Sequence, residues 1–255
     1  MVNLVKAYGW LLQWLIKRVG LRPSTVEIEP GTVMRFWVPC DAVSKPVVVL
    51  LHGFCGDGIM NWQFQVTALA KDYAVYVPDL LFFGGSVSDK ADRSPAFQAE
   101  CVAAGLGKQG VEKCVVVGFS YGGYVGLEMA WLCGELVDGV VVSGSVVGVI
   151  ENVVLRAVEG AGYGSCSEML LPTSVKELKT LFSVGAHTKF WLPNRLHRDF
   201  LQAMYSNRKE RAELLEALVN SYKDINIPKF QQRIHLLWGE NDKIFKQELA
   251  LKMKE

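Results

Sequence analysis

Short apolar runs alternate with longer amphipathic segments along the first 148 residues of the chain. Runs of β-branched and apolar residues are typical of strands buried on both faces of a parallel sheet, and apolar residues three and four positions apart are typical of helices. The pattern predicts strands at residues 34–38, 46–51, 73–77, 113–117 and 139–147. Between them it predicts helices at residues 61–72, 95–108 and 121–132. This alternation is typical of βα crossovers, so the predicted fold class is α/β, with a mostly parallel central sheet flanked by helices.

The pattern changes beyond residue 148, where helical spacing continues without a strong strand until a strand pattern at 232–238 and a helical one at 245–254. We therefore predict a core of residues 30–148 and 229–255, with residues 149–228 inserted as a helical cap. The cap is rich in apolar residues that either pack on the core or form an acyl-binding wall: Phe182, Phe190, Trp191, Leu192, Leu196, Phe200 and Met204. Its basic residues alternate with acidic ones and predict a solvated face: Arg195, Arg198, Lys209 and Arg211.

The first 22 residues predict a separate amphipathic helix. At 100° per residue a narrow polar stripe is formed by Asn3, Lys6, Gln13 and Lys17. A different face carries Trp10, Leu11, Trp14 and Leu15. The apolar run at 7–16 would extend roughly 15 Å as a helix, which is too short to span a bilayer. Two placements stay open: docking on the globular domain, or contact with a membrane interface with the tryptophans at headgroup level.

The composition narrows the classes of function. The 27 Lys and Arg residues against 26 Asp and Glu residues give a net charge of +1, so there is no basic excess for a nucleic acid partner. The six cysteines are scattered without CxxC pairs or nearby histidines at zinc spacing. We interpret them as reduced thiols of a cytoplasmic protein, with membrane association left open, and expect neither a metal site nor a cofactor.

A sharp turn between a strand and a helix is predicted at Val115-Val116-Val117-Gly118-Phe119-Ser120-Tyr121-Gly122-Gly123. The G-x-S-x-G pattern here lies between an apolar strand and an apolar helix, the context in which a serine hydroxyl is lifted out at the top of a sheet as a nucleophile. Gly118 and Gly122 are expected to be glycines because a Cβ would clash with neighbouring backbone. The alternative is a glycine-rich turn in which Ser120 only caps the helix.

An earlier strand end supports the same site. The segment Leu50-Leu51-His52-Gly53-Phe54 directly follows a predicted buried strand. Such a loop aims the Phe54 N–H at the point that the Tyr121 N–H also faces, and two converging N–H groups form an oxyanion hole. His52 is expected to order this loop rather than act as a base.

Four segments together resemble the α/β-hydrolase fold: PVVVLLHGF, VPDLLFFGGS, VVVGFSYGG and LLWGENDKIF. In detail they are most similar to the serine esterase and monoacylglycerol-lipase-like branch. The resemblance implies the chain order nucleophile, acid, histidine. It identifies Asp242 as the orienting acid, with Glu240 second and an N-cap role for Asp242 as the alternative, and it makes Asp79 a turn residue.

The histidine that this order requires is absent from the printed sequence. His52, His187, His197 and His235 all precede Asp242. His235 is expected to pack into a sheet face, and a catalytic role for either cap histidine would depart from the family pattern. We therefore expect a C-terminally truncated chain in which the last strand and helix are missing and the catalytic histidine lies beyond residue 255.

The predicted function is hydrolysis of carboxylic esters through an acyl-enzyme, with a small lipophilic ester such as a monoacylglycerol-like lipid as the substrate. Ser120 would be the nucleophile, because a serine at this position favours acyl transfer over alkyl-enzyme chemistry. Without its histidine we expect the chain to be inactive as it stands, which leaves two alternatives. One is a non-catalytic α/β-hydrolase fold that binds a small apolar ligand, and the other is an incompletely folded fragment.

Overall fold

The computed structural model describes residues 2–41, 45–146, 158–160, 162–188, 191–221 and 229–254. The beginning and the end of the predicted cap, Phe190 within it and the last residue of the predicted strand at 139–147 lie outside the described residues. None of the described helices is long and apolar enough to cross a bilayer.

Eight strands form one mixed sheet in the described part of the chain. The strands are β1 (Leu21–Glu29), β2 (Thr32–Pro39), β3 (Val47–Leu51), β4 (Ala74–Pro78), β5 (Val87–Ser88), β6 (Cys114–Phe119), β7 (Val137–Ser143) and β8 (Arg233–Leu236). They are ordered β1-β2-β4-β3-β6-β7-β8, with β5 paired to β2. The pairs from β4 across to β8 are parallel, and those that involve β1 or β2 are antiparallel. The predicted fold class, a mostly parallel sheet in an α/β protein, is confirmed.

Helices cover both faces of this sheet. They are α1 (Leu4–Arg18), α2 (Gly58–Leu69), α3 (Pro95–Gly107), α4 (Tyr121–Leu132), α5 (Cys166–Leu170), α6 (Val175–Gly185), α7 (Asn194–Met204), α8 (Arg208–Ser221) and α9 (Gln247–Met253). Alternate residues of β3 separate the two layers. Val48 and Leu50 pack with α1 and α2, whereas Val49 and Leu51 pack with α3, α4 and the cap.

Local chemistry explains where two helices begin. The Asp57 side chain accepts a hydrogen bond from the Met60 N–H and caps α2, so the helix begins three residues before the periodicity predicts. Ser94 caps α3 through the Phe97 N–H and is followed by Pro95 at the first helical position, where the prediction was correct.

Two strands were not predicted from the pattern. β1 contains Pro23 and several polar residues, and its alternation is visible only at Val26 and Ile28. It forms an antiparallel hairpin with β2 at the edge of the sheet, where a proline is tolerated. β5 has two residues, which is too short for any periodicity to indicate.

The prediction that His235 packs into a sheet face was wrong. β8 is the outermost strand on its side of the described sheet, and its residues alternate between exposed and half-buried. Ile234 and Leu236 pack on the main core, whereas His235, on the opposite face of the strand, is left exposed by the described part of the chain.

Helix α1 is docked on the domain. Val5, Leu12 and Ile16 are buried on one face, and Leu12 and Ile16 join the smaller core with Leu50 and Val66. Docking, one of the two placements predicted for this helix, is therefore confirmed.

Replacing Ile16 by alanine should lower the free energy of unfolding by about 2–5 kcal/mol, because the side chain is 1% exposed and its removal leaves a cavity between α1 and the sheet. The neighbouring Leu15 is 43% exposed, so Leu15→Ala is the matched control and should cost less than about 1 kcal/mol. Urea unfolding followed by circular dichroism measures both. Equal losses in the two variants would contradict the docked orientation of α1.

Candidate active site

Ser120 occupies the turn between β6 and α4 in a conformation that few non-glycine residues adopt. Its φ is 52° and its ψ is −122°. The backbone around it is fixed from both sides, since its N–H donates to the Ser143 carbonyl at 2.8 Å and its carbonyl accepts from the Gly123 N–H at 2.8 Å. Such strain costs about 1–3 kcal/mol and persists only where surrounding structure enforces it. The side chain makes no capping hydrogen bond, unlike the alternative in which Ser120 merely caps α4.

Two glycines make this turn sterically possible. A Cβ on Gly118 would lie 2.4 Å from the Gly122 carbonyl oxygen, and a Cβ on Gly122 would lie 2.3 Å from the Leu51 carbonyl oxygen. Neither backbone oxygen can move without breaking the crossover of β3, β6 and α4. This crowding is the steric reason why both positions require glycine, as expected.

Two amide groups beside Ser120 are available as donors. Tyr121 is the first residue of α4, where N–H groups have no acceptor within the helix. Phe54 lies in the loop after β3, and in the described part of the chain neither the Phe54 N–H nor the Tyr121 N–H donates to a protein acceptor. Both residues line the same cavity as Ser120.

His52 holds the loop that carries Phe54. The ring is completely buried, its Nε2 accepts from the Leu80 N–H at 3.0 Å, and its Nδ1 therefore carries the proton and donates to the Gly53 carbonyl at 2.7 Å. Burial lowers the pKa of His52 to about 4. A neutral ring with both nitrogens engaged fits the expected ordering role and leaves no lone pair for a base.

Asp79 organises the adjacent loop, as expected for a turn residue. Its carboxylate oxygens accept from the Gly58 N–H at 2.9 Å and the Gly85 N–H at 3.1 Å. Burial, with a further contribution from the neighbouring Asp57 carboxylate, raises the pKa of Asp79 to about 7. Asp79 does not line the cavity at Ser120.

The cavity beside Ser120 is small and apolar. Its volume is about 50 Å³, and it is bounded by the cap above and by the loop after β8 at one side. The lining residues are Phe54, Ser120, Tyr121, Tyr124, Cys166, Met169, Leu170, Leu215, Leu218, Val219, Ile244 and Phe245. Pockets for drug-sized ligands are about 300–1,000 Å³, so a long ligand would need the cap to move.

Asp242 fixes the loop that reaches this cavity. Its Oδ1 accepts from the Ile244 N–H at 2.9 Å and from the Phe245 N–H at 2.8 Å, and both of these residues line the cavity. Helix α9 begins only at Gln247, so Asp242 caps a turn and not a helix at Lys243, which was the alternative to its role as the orienting acid. Glu240, the second candidate acid, is exposed.

The described structure brings no histidine to Ser120. His187 is exposed, and His197 is buried within the cap, where its Nδ1 pairs with the Pro193 carbonyl at 3.1 Å and its ring lies 5.9 Å from that of Phe182. Among the described residues that line the cavity there is neither a histidine nor a carboxylate. The expected nucleophile and oxyanion donors are together, and the base is not among them.

The sequence pattern predicts Arg211 on a solvated face, and this prediction was wrong. Arg211 is 2% exposed, its Nε donates to the Phe82 carbonyl at 3.0 Å, and its guanidinium lies 4.1 Å from the centre of the Phe83 ring. Burial lowers the pKa of Arg211 to about 10. The overlooked signal is its spacing: Arg211 shares a helical face with the buried Leu214, Leu215 and Leu218.

Cys55 belongs to the same buried surroundings. Its Sγ lies 3.4 Å from the Tyr205 hydroxyl, and burial raises the pKa of the thiol. All six cysteines are free, as expected for reduced thiols. Within the described residues no group of histidine, cysteine and acidic side chains has the arrangement of a metal site.

With this fold and site in hand, comparison with known proteins identifies the class. The sequence profile of the Alpha/beta hydrolase family matches residues 48–255, and the chain belongs to that family.

Individual relatives match shorter stretches. An uncharacterized protein of Mycobacterium tuberculosis is 36% identical over 97 residues, which cover 38% of this chain and 28% of the relative. Pimeloyl-[acyl-carrier protein] methyl ester esterase of Aeromonas hydrophila is 40% identical over 86 residues, which cover 33% of this chain and 32% of the esterase. These alignments span about a third of the relatives' length. A solved bacterial membrane phospholipase A superposes with a TM-score of 0.79 at 21% identity, covering 98% of this chain and 79% of that chain, and shares its fold.

Replacing Asp79 by asparagine should change how stability depends on pH. Between about pH 4 and 7 native Asp79 holds a proton that the unfolded chain has lost, so its contribution to stability falls as the pH rises. Between about pH 4 and 6.5 native His52 lacks a proton that the unfolded chain binds, so its contribution rises with pH. The two oppose each other in the wild type.

In Asp79→Asn the free energy of unfolding should therefore rise with pH in this window, with a slope more positive than the wild type by up to about 1.4 kcal/mol per pH unit. Urea unfolding across the window measures the slope. Asp138→Asn, which removes an exposed carboxylate, is the control and should keep the wild-type slope. An unchanged slope in Asp79→Asn would show that Asp79 is ionised in the native state.

Proposed function

We propose that this protein is a serine hydrolase that acts on carboxylic esters, including monoacylglycerol-like lipids, through an acyl-enzyme. The observation that carries the proposal is the strained backbone of Ser120, at φ 52°, in the lining of an apolar cavity that Phe54 and Tyr121, with their available N–H groups, also line. Family membership supports it, and so do the names of two similar proteins, a methyl ester esterase and a phospholipase A.

Each proposed role follows from the position of the group. The Ser120 hydroxyl attacks the ester carbonyl, and the Phe54 and Tyr121 N–H groups stabilise the negative oxygen of the tetrahedral intermediate. Loss of the alcohol leaves an acyl-Ser120, which water hydrolyses. Asp242 is proposed to orient the base, because its loop ends at the cavity.

The base is the part of this mechanism that the described residues do not supply. The resemblance implies a histidine after Asp242, and the printed sequence has none there. Without a base Ser120 stays a neutral alcohol, and such a loss lowers kcat by about 10⁶-fold in comparable triads. We therefore propose that activity requires a histidine base, which the described lining of the cavity does not contain.

The cavity favours an apolar acyl group as the part of the substrate that enters. Its cap side consists of Met169, Leu170, Leu215, Leu218 and Val219, together with Cys166. A volume of about 50 Å³ admits only a few atoms, so a lipid chain would enter by displacing the cap.

A second candidate function is the binding of a small apolar ligand without turnover. It is favoured by the absence of a histidine and of a carboxylate from the described cavity lining. Both functions use the same cavity, so they are distinguished by covalent chemistry at Ser120.

A fluorophosphonate probe tests the nucleophile, because it labels only an activated serine. We expect weak labelling of the 255-residue chain and strong labelling, at Ser120, of any longer form that supplies a histidine after Asp242. Ser120→Ala abolishes the signal, and Asp242→Asn reduces it. Mass spectrometry locates the label. Absence of labelling in a folded longer form, or labelling at another serine, would overturn the assignment.

A thermal shift assay on the 255-residue chain tests the second candidate. A short-chain fatty acid at one hundred times its Kd should stabilise the fold by about 2.7 kcal/mol, with no hydrolysis of a p-nitrophenyl ester. Leu215→Asp, which places a charge in the cavity lining, should remove the shift. Turnover of the ester by this chain would contradict the binding-only function.

A further inference from the structure

Helix α1 carries a second apolar face that points away from the domain. The buried face consists of Val5, Leu12 and Ile16. The residues on the opposite side are exposed to between 41% and 70%: Leu4, Tyr8, Trp10, Leu11, Trp14 and Leu15. Folded proteins seldom expose large apolar side chains in a contiguous patch unless it binds something. We call this patch, together with the neighbouring Phe64, the α1 surface.

Helix α2 extends the α1 surface to one side. It packs beside α1, where the Tyr8 hydroxyl donates to the Gln63 side chain, and its Phe64 is 76% exposed. Phe64 is the most exposed apolar residue of this helix, although α2 buries Ile59, Trp62 and Val66 against the sheet. The exposed apolar residues thus come from two adjacent helices.

The two helices that form the α1 surface carry charges of one sign only. Helix α1 contains Lys6, Lys17 and Arg18 and no acidic residue, and helix α2 contains no charged residue. Lys6 and Lys17 lie on the stripe next to Trp10, and the Arg18 guanidinium lies 4.8 Å from the centre of the Trp14 ring. Tryptophans between an apolar strip and a row of cations match the layering of a bilayer interface, where apolar side chains meet acyl chains and cations meet phosphates.

We propose that the α1 surface binds the interface of an anionic phospholipid bilayer, with α1 lying in the membrane plane. Such a bilayer presents a layer of phosphates over hydrocarbon, which matches the cations and the apolar side chains of the α1 surface. The charge pattern favours a bilayer over a second copy of the chain as the occupant. In a symmetric dimer the same face meets itself, so Lys6, Lys17 and Arg18 of two copies would approach with no carboxylate on α1 or α2 to pair with them. This binding does not depend on the proposed hydrolase function.

The bound membrane would lie next to the cap. The start of α1 is tied to α7: the Asn3 side chain donates to the Asp199 carbonyl at 3.0 Å, the Leu4 N–H donates to the Asp199 carboxylate at 2.9 Å, and Arg195 donates to the Val2 carbonyl at 3.1 Å. Because α7 is one of the cap helices, a bilayer bound to the α1 surface would lie beside the cap.

Vesicle flotation tests the proposal on the whole chain. We expect binding to vesicles that contain phosphatidylserine and weaker binding to pure phosphatidylcholine vesicles, with a blue shift of tryptophan fluorescence on binding. The double variant Trp10→Gln/Trp14→Gln should bind at least about tenfold less. Lys6→Gln/Lys17→Gln should lose the preference for phosphatidylserine, by about fivefold per cation, and keep its binding to phosphatidylcholine.

The control is Trp131→Gln, because Trp131 is 52% exposed on α4, which packs on the other face of the sheet. It should bind like the wild type, and unchanged melting curves should show that all variants are folded. Failure of the wild type to bind either vesicle would overturn the proposal. An equal loss of vesicle binding in the Trp131 variant would also overturn it. The same holds if the wild type sediments as a dimer and the Trp10/Trp14 variant sediments as a monomer. The Ser120→Ala variant should bind vesicles like the wild type, so a failure of membrane binding can be told apart from a failure of the proposed hydrolase function.

Discussion

The close crossing of three backbone segments at Ser120 is the constraint on which the candidate site depends. The end of β3, the end of β6 and the start of α4 approach so closely that no Cβ fits at Gly118 or Gly122. This contact sets the positive φ of Ser120, because the chain must reverse from strand to helix within one residue. It also points the first N–H of α4 at the cavity. The sheet register that brings Gly118 opposite Leu51 therefore determines the position of the hydroxyl and of both amide donors.

Buried polar side chains hold the loops beside the site in place through hydrogen bonds to the backbone. His52 and Asp79 each accept or donate two hydrogen bonds to backbone groups, and burial shifts the pKa of each toward its neutral form. The Arg211 guanidinium donates to the Phe82 and Met204 carbonyls and lies over the Phe83 ring. These three groups support the loops beside the cavity and do not line it.

The sequence predicts regular elements well where a single physical cause dominates. Helix α4 has the predicted bounds, because glycines and a continuous apolar helix face fix both the turn and its packing.

Errors arise where the tertiary environment decides. Arg211 follows the helical spacing of buried leucines, yet its charge predicted solvent exposure, and carbonyl acceptors 129 residues earlier in the chain cannot be seen in a local pattern. His235 alternates correctly with Ile234 and Leu236, but whether a strand face is covered depends on the elements outside it. For α1 the polar stripe predicted one apolar face, whereas the helix has two, one docked and one exposed.

The strain at Ser120 distinguishes between the two proposed uses of the cavity. A pocket that only binds an apolar ligand gains nothing from a serine at φ 52°, and a glycine there would remove about 1–3 kcal/mol of conformational strain. The half-buried hydroxyl has no hydrogen-bond partner among the described residues, so it also contributes nothing to the stability of the turn. The Phe54 and Tyr121 N–H groups add a further cost, since neither has an acceptor among the described residues. These costs are compensated when an ester carbonyl occupies the site, because its oxygen accepts both N–H groups as the hydroxyl attacks. The strain at Ser120 therefore fits the proposed acyl transfer better than the proposed binding without turnover.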